Sequence, residues 1–134
     1  RAQAELAEVL QAVLETPISP ELVPPENGEI SQHTEDLVGP YELHDFFLYH
    51  WLRFGSSPTK IFALACCSFQ DDYAAEVIKR CLAEFFRRFM TQQFKRTTLP
   101  PGPKVGSVSL SPRGDWRMPD EAGFAHLVAE VESL

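Results

Sequence analysis

Two proline-rich interruptions decide what this chain can fold into. One spans residues 17–39 and carries Pro17, Pro20, Pro24 and Pro25, then the turn signal Asn27-Gly28. The other spans 92–119 and reads Q-Q-F-K-R-T-T-L-P-P-G-P-K-V-G-S-V-S-L-S-P-R-G-D-W-R-M-P. Proline fixes φ and removes a backbone donor, so neither stretch can form one regular element. The segments around them read as helices. Leu6, Val9, Leu10, Val13 and Leu14 recur at helical spacing between Ala2 and Thr16, and Pro17 ends the pattern. That stripe is narrow and needs a partner surface. Pro40 suits the first position of a second helix, which runs from about Tyr41 to Phe54 and stops at Gly55. It is apolar almost all round, which predicts burial, part of it in a subunit contact. Ser57-Pro58 opens a third helix, from Thr59 to about Phe69, with Ile61, Phe62, Leu64, Ala65 and Phe69 inward. Asp71 or Asp72 caps a fourth, from Tyr73 to about Gln92. There Ile78, Leu82, Phe85 and Phe89 point one way, and Arg80, Arg87 and Arg88 the other. A last helix, starting at Asp120 or Glu121 and ending near Glu132, turns Phe124, Leu127, Val128 and Val131 inward. The expectation is a small all-α unit of four or five helices joined by two long loops. At 134 residues it is one domain with a modest core.

Charge narrows the function classes. The net charge of −7 hides a strong asymmetry. Residues 1–45 hold ten acids against Arg1, whereas residues 79–117 hold nine bases against Glu84 and Asp115. The acidic end repels polyanions unless a metal intervenes, and the basic part attracts phosphate or carboxylate. No apolar run approaches the ~20 residues of a membrane span. Cys66, Cys67 and Cys81 are odd in number and two are adjacent, unlike a disulfide framework. They fit a reducing, cytoplasmic setting and the role of buried, inert thiols. The chain opens on Arg1 rather than Met, which suggests a piece of something longer.

The 92–119 stretch is the candidate functional element. It carries Lys95, Arg96, Lys104, Arg113 and Arg117 against Asp115, with Phe94, Leu99, Val105, Val108, Leu110, Trp116 and Met118 as apolar anchors. Loops this long are functional or disordered, and disordered tracts lack such anchors. The expectation is an ordered cationic loop that holds an anion. The acids of 17–39 read either as a solvated loop or as oxygen ligands for Mg²⁺. Arg87 and Arg88 read either as plain surface charge or as helpers at the anion site. His44 and His50, six apart, fall on different helix faces and cap or pack rather than share a metal. No Gly-rich phosphate loop, catalytic Cys/His or Ser/His pairing, or C-x-x-C pattern is present. The residues alone stop at an anion-binding helical domain. Two other classes stay open: a nucleic-acid module using Phe94 and Trp116 for stacking, and an oligomerisation module built on the 41–54 helix.

Three segments carry a resemblance further: T-P-I-S-P-E-L-V-P-P at 16–25, Q-H-T-E-D-L-V-G-P-Y-E-L-H-D-F at 32–46, and Q-Q-F-K-R through K-V-G-S-V-S-L-S-P-R-G-D-W-R-M-P at 92–119. Over roughly residues 16–120 the chain resembles the C-terminal end of bacterial glutamine-dependent NAD⁺ synthetases. The resemblance implies an ATP- and Mg²⁺-dependent ligase. The carboxylate of deamido-NAD⁺ is adenylylated, and ammonia from glutamine displaces AMP to give NAD⁺. It implies the tail of a larger α/β, Rossmann-like (adenine nucleotide alpha hydrolase-like) synthetase domain, inert alone, with the S-G-G-x-D-S phosphate loop and the glutaminase domain absent from this sequence. It implies ATP contacts from Ser19 and Glu21, and deamido-NAD⁺ contacts from Lys95 with Arg96 as helper. It implies a homo-oligomer partnered by the rest of the synthetase and the glutaminase domain, with no membrane and no nucleic acid. Where the family reads M-P-S-D-A, this chain has Met118-Pro119-Asp120-Glu121-Ala122.

Overall fold

A computed structural model of the chain describes residues 2–16 and 34–134. The chain divides between Leu37 and Val38 into two units. Among the described residues the regular structure is entirely helical. Two helices enter through the first unit: α1, Ala2–Glu15, and α2, Thr34–Val38, which crosses the division. The stripe on α1 forms as its spacing predicts, and it is bare: Leu6, Val9, Leu10, Val13 and Leu14 are all exposed, Leu14 at 79%.

The second unit is built around one helix. α5, Ala75–Thr91, buries Ile78, Cys81, Leu82, Phe85, Phe86, Phe89 and Met90. These lie at i, i+3, i+4, i+7, i+8, i+11 and i+12, one continuous face of a 3.6-residue helix. The wide face lets three helices pack on it: α3, Tyr41–Phe54, α4, Pro58–Ser68, and α7, Ala125–Glu132. Leu43 and Phe47 come from α3, Ile61 and Ala65 from α4, and Leu127 and Val131 from α7. Phe85, Phe86 and Phe89 continue into an aromatic array with Phe47, Trp51 and Trp116, at centroid spacings of 5.1–6.1 Å. Offset-stacked and edge-to-face aromatic pairs add about 0.5–1.5 kcal/mol each beyond their burial.

The turn from α3 to α4 follows from four residues. Gly55 takes φ 58° at the end of α3, and its N–H donates to the Trp51 carbonyl at 3.0 Å. That 5→1 bond to a left-handed glycine is an αL-type stop, and Ser56 N–H adds a bond to the His50 carbonyl at 3.2 Å. Ser57 Oγ then accepts from Lys60 N–H at 3.3 Å, with Pro58 at the first helical position. The α4 terminus gains a second acceptor from α7. Glu130 Oε1 takes Thr59 N–H at 2.9 Å and Thr59 Oγ1–H at 2.7 Å, a carboxylate at the positive end of a helix dipole. The Thr59 hydroxyl, then its N–H, hold the Glu130 carboxyl below its usual pKa. A depressed carboxyl adds stability above its unfolded pKa and loses it as pH falls through the folded one. Glu130→Ala is therefore expected to cost about 1 kcal/mol at pH 7. The difference from the parent shrinks below pH 4, as followed by urea melts.

Several expectations change. α5 starts at Ala75, not Tyr73, and neither Asp71 nor Asp72 caps it. Its N-cap is Ala74, in an extended conformation with no side-chain bond. The N–H groups of Asp72 and Tyr73 close back onto the Phe69 carbonyl, so the chain is still finishing α4 there. α7 starts at Ala125 rather than Asp120 or Glu121, because Pro119–Ala122 forms a turn first, with Ala122 N–H on the Pro119 carbonyl at 3.3 Å. The two five-residue helices, α2 and α6 (Gln93–Thr97), are too short to show a period and raise the described helices above four or five. Of the thiols only Cys81 is buried. Cys66 is half-buried and Cys67 exposed, since the α4 positions facing the core are 58, 61 and 65. On α3, which is less buried than its composition suggests, Tyr49 and Phe54 face outward at 44% and 60% exposure. No described helix is long and apolar enough to cross a membrane.

Candidate functional site

The basic segment begins where α5 ends. Gln92 caps α5 through N–H bonds to the Arg88 and Met90 carbonyls, and the chain turns at once into α6. One turn of helix at 3.6 residues per turn places Lys95 about 200° from Gln93, and Arg96 back beside Gln93. The side chains follow this geometry. Gln93 is fully buried. Its amide Nε2 donates to the Met118 carbonyl at 3.1 Å, and its Oε1 accepts from Arg96 Nε at 2.9 Å. Arg96 Nη2 donates to the Phe89 carbonyl near the end of α5, and the guanidinium carbon lies 4.3 Å from the centre of the Phe89 ring. Burial lowers the Arg96 pKa, opposed by the charge of Asp120, and a guanidinium stays protonated regardless. Lys95, on the other side of the turn by that geometry, is exposed.

The remaining bases divide by whether they already have partners. Arg87 Nη1 meets Glu84 Oε2 at 2.8 Å, and Arg88 Nε meets Glu84 Oε1 at 2.5 Å. Arg88 first, against the opposing effect of burial, and Arg87 hold the Glu84 carboxyl below its usual range. These two arginines are surface charge with an internal counter-ion. Lys79 donates to the Glu132 carbonyl at 3.1 Å. Lys104 Nζ meets Asp115 Oδ2 at 2.5 Å, and that bond is the main cause of the lowered Asp115 pKa. Arg113 Nη1 donates to the Leu99 carbonyl at 2.8 Å, closing the loop onto its own start. Arg80 lies against Cys81. Among the described bases of 79–117, Lys95, Arg117 and, apart from its influence on the adjacent Cys81 thiol, Arg80 carry neither an ion pair nor a side-chain hydrogen bond.

Fewer of the loop's apolar residues pack against the core than its sequence offers. Leu110, Trp116 and Met118 pack against the core, and the Trp116 ring lies 5.2 Å from Phe89. Phe94, Leu99 and Val105 do not anchor it; they are exposed, Val105 at 95%. In their place the backbone turns on Ser111, whose carbonyl accepts from Gly114 N–H at 3.0 Å and Trp116 N–H at 3.2 Å. Next to this turn Leu52, Arg53, Lys104, Ser107, Val108 and Asp115 line a small polar concavity of about 140 Å³. Lys95 is not among them.

The structure treats the other candidates differently. Ser19 and Glu21 lie outside the described residues, as do Glu26 and Glu29. His44 Nε2 donates to the Val38 carbonyl at 2.7 Å, and His50 packs against Phe46 in a tilted pair with centroids 4.3 Å apart. Both histidines cap or pack, as their spacing predicts. Among the described residues no three His, Cys, Asp or Glu side chains group to hold a metal. The residue that sequence reasoning missed is Gln93. Its signal was the three-residue spacing to Arg96 inside the Q-Q-F-K-R motif, legible only once those residues are known to be helical.

No protein-family model matches the chain. Among curated proteins, the glutamine-dependent NAD(+) synthetase of Mycobacterium leprae is 38% identical over 148 residues, covering 97% of this chain and 22% of that protein. Those of Mycobacterium bovis and Mycobacterium tuberculosis are 42% identical over 135 residues, covering 87% of this chain and 20% of theirs. The chain thus spans about a fifth of the length of the curated relatives it matches.

Proposed function

The chain is a relative of the glutamine-dependent NAD(+) synthetases, matching a partial segment of them, and from that premise we propose that it is the C-terminal part of such an enzyme's synthetase domain. The intact polypeptide is then a carbon–nitrogen ligase. It activates the nicotinic acid carboxylate of deamido-NAD⁺ with ATP, releasing pyrophosphate, and ammonia from glutamine displaces AMP to form the amide of NAD⁺. Mg²⁺, when bound, would neutralise the ATP phosphates; no described residue is assigned to it. The observation that carries this reading is the identity of about 40% across nearly the whole chain.

Within that reaction we assign Lys95 to the dinucleotide. It is an exposed ammonium without a counter-ion, at the start of the cationic loop, and a lysine serves an anion as a point charge. In a protected site such a charge stabilises developing negative charge as AMP leaves. Arg96 enters the assignment differently from Lys95, because its guanidinium is turned inward. Ser19 and Glu21 remain proposed ATP contacts. The bare faces of α1 and α3 are surfaces for the remainder of the polypeptide and for a homo-oligomer.

The test uses the intact polypeptide beside the 134-residue chain, each supplied with deamido-NAD⁺, ATP, Mg²⁺ and glutamine. The intact protein is expected to form NAD⁺ and AMP in equal amounts, and the isolated chain neither. An intact protein that forms no NAD⁺, or an isolated chain that does, overturns the reading. The pairing of Arg87, Arg88 and Lys104 with acids leaves little free charge for a polynucleotide.

A further inference from the structure

We propose that Gln93 is a positioning residue for the dinucleotide: together with Arg96 it locks α6 so that Lys95 faces outward toward the substrate. The proposal rests on the assignment of Lys95 above. Three observations carry it. Gln93 is a fully buried polar side chain, and burying an amide is unfavourable unless both of its ends are satisfied. Both ends are: the NH₂ group donates to the Met118 carbonyl of the cationic loop, and the carbonyl oxygen accepts from Arg96. Arg96 in turn reaches back to the Phe89 carbonyl and lies over the Phe89 ring.

The four residues therefore connect three pieces of chain. Phe89 belongs to α5, Gln93 and Arg96 to α6, and Met118 to the far end of the loop. Phe89 also meets Trp116, two residues before Met118, at 5.2 Å. A single turn of helix cannot hold its own orientation, since helix nucleation is unfavourable and short helices are marginal in water. α6 has five residues and no side-chain N-cap. What fixes its rotation is Gln93 from below and Arg96 from the side. Because Lys95 sits between them in sequence and about 200° from Gln93 around the helix, fixing Gln93 fixes the direction of Lys95. Arg96 is accordingly a brace: its donors face Gln93 and the Phe89 carbonyl, both within the protein.

The experiment is a double-mutant cycle in the intact synthetase, with Gln93→Leu, Lys95→Ala and the pair. Leucine keeps approximate volume and removes both hydrogen bonds. KM for deamido-NAD⁺ is expected to rise about tenfold in Gln93→Leu, with kcat changed less than about twofold. KM for ATP and the glutaminase half-reaction should be unchanged. In the Lys95→Ala background, Gln93→Leu should add nothing. Gln93→Glu supplies the second variant: it keeps the acceptor for Arg96, loses the donor to Met118, and should fall between parent and Leu. If Lys95→Ala raises KM and Gln93→Leu leaves it unchanged, or adds its full effect to that of Lys95→Ala, the positioning role is wrong and the Lys95 assignment survives. If Lys95→Ala itself leaves KM unchanged, the site assignment fails with it. A Gln93→Leu protein that loses kcat and the ATP KM alike is merely misfolded there, which also overturns the proposal.

Discussion

Phe86→Ala is expected to cost about 3–5 kcal/mol, the range for emptying a fully buried aromatic site. Phe86 is the residue of α5 on which the aromatic array turns. Its ring meets Trp51 at 5.1 Å and Phe85 at 5.2 Å, both near perpendicular. Trp51 is 6.1 Å from Trp116, so the void would open beneath the cationic loop as well as inside the helical core. A penalty of this size is a large fraction of the stability of a domain this small. Phe86→Leu keeps most of the volume and is expected to cost under about 1.5 kcal/mol. Both tryptophans of the chain lie in the array, so indole fluorescence during urea unfolding reads the effect directly. A loss below about 1 kcal/mol for Phe86→Ala would mean that the void collapses and that α5 is not the organising element.

Gly39→Ala is expected to cost about 2–4 kcal/mol, from two separable causes. Gly39 takes φ 94°, where a β-carbon is strained, and a Cβ placed there would stand 2.6 Å from Cys81 Sγ. Gly39 follows Val38, whose carbonyl accepts from His44, so moving the new methyl aside would disturb that bond. The double variant Gly39→Ala with Cys81→Ala removes the clash and keeps the torsional strain. It should cost less than the sum of the two single changes, with about 1–2 kcal/mol left for the left-handed backbone. Strict additivity would show that the thiol is not in contact with this turn.

How much of this was legible in the sequence depends on length and period. α5 announces itself because seventeen residues repeat the pattern often enough to fix a face, and the buried set contains Ile78, Leu82, Phe85 and Phe89 as that pattern predicts. The stop at Gly55 and the start at Ser57-Pro58 were legible because each uses a residue whose backbone chemistry has few other uses. The ends at Asp71–Asp72 and Asp120–Glu121 were misread for a shared reason. An aspartate before an apolar run looks like a cap, but in both places the chain makes a turn before the helix starts. α6 was illegible because one helical turn has no period to read, and with it went the burial of Gln93. Counting cations in 92–119 gave five candidates. Only their partners separate Lys104, Arg96 and Arg113, which are engaged, from Lys95 and Arg117, which are not.

The central claim is that Lys95, held outward by α6, grips the anionic dinucleotide in an enzyme of which this chain is a part. It is tested most directly by equilibrium titration of deamido-NAD⁺ into the intact polypeptide and its Lys95→Ala variant, at low and moderate salt. The account predicts a Kd about tenfold or more weaker in the variant, with a flatter salt dependence because one fixed charge is gone. Equal affinities and equal salt slopes in the two proteins would contradict it.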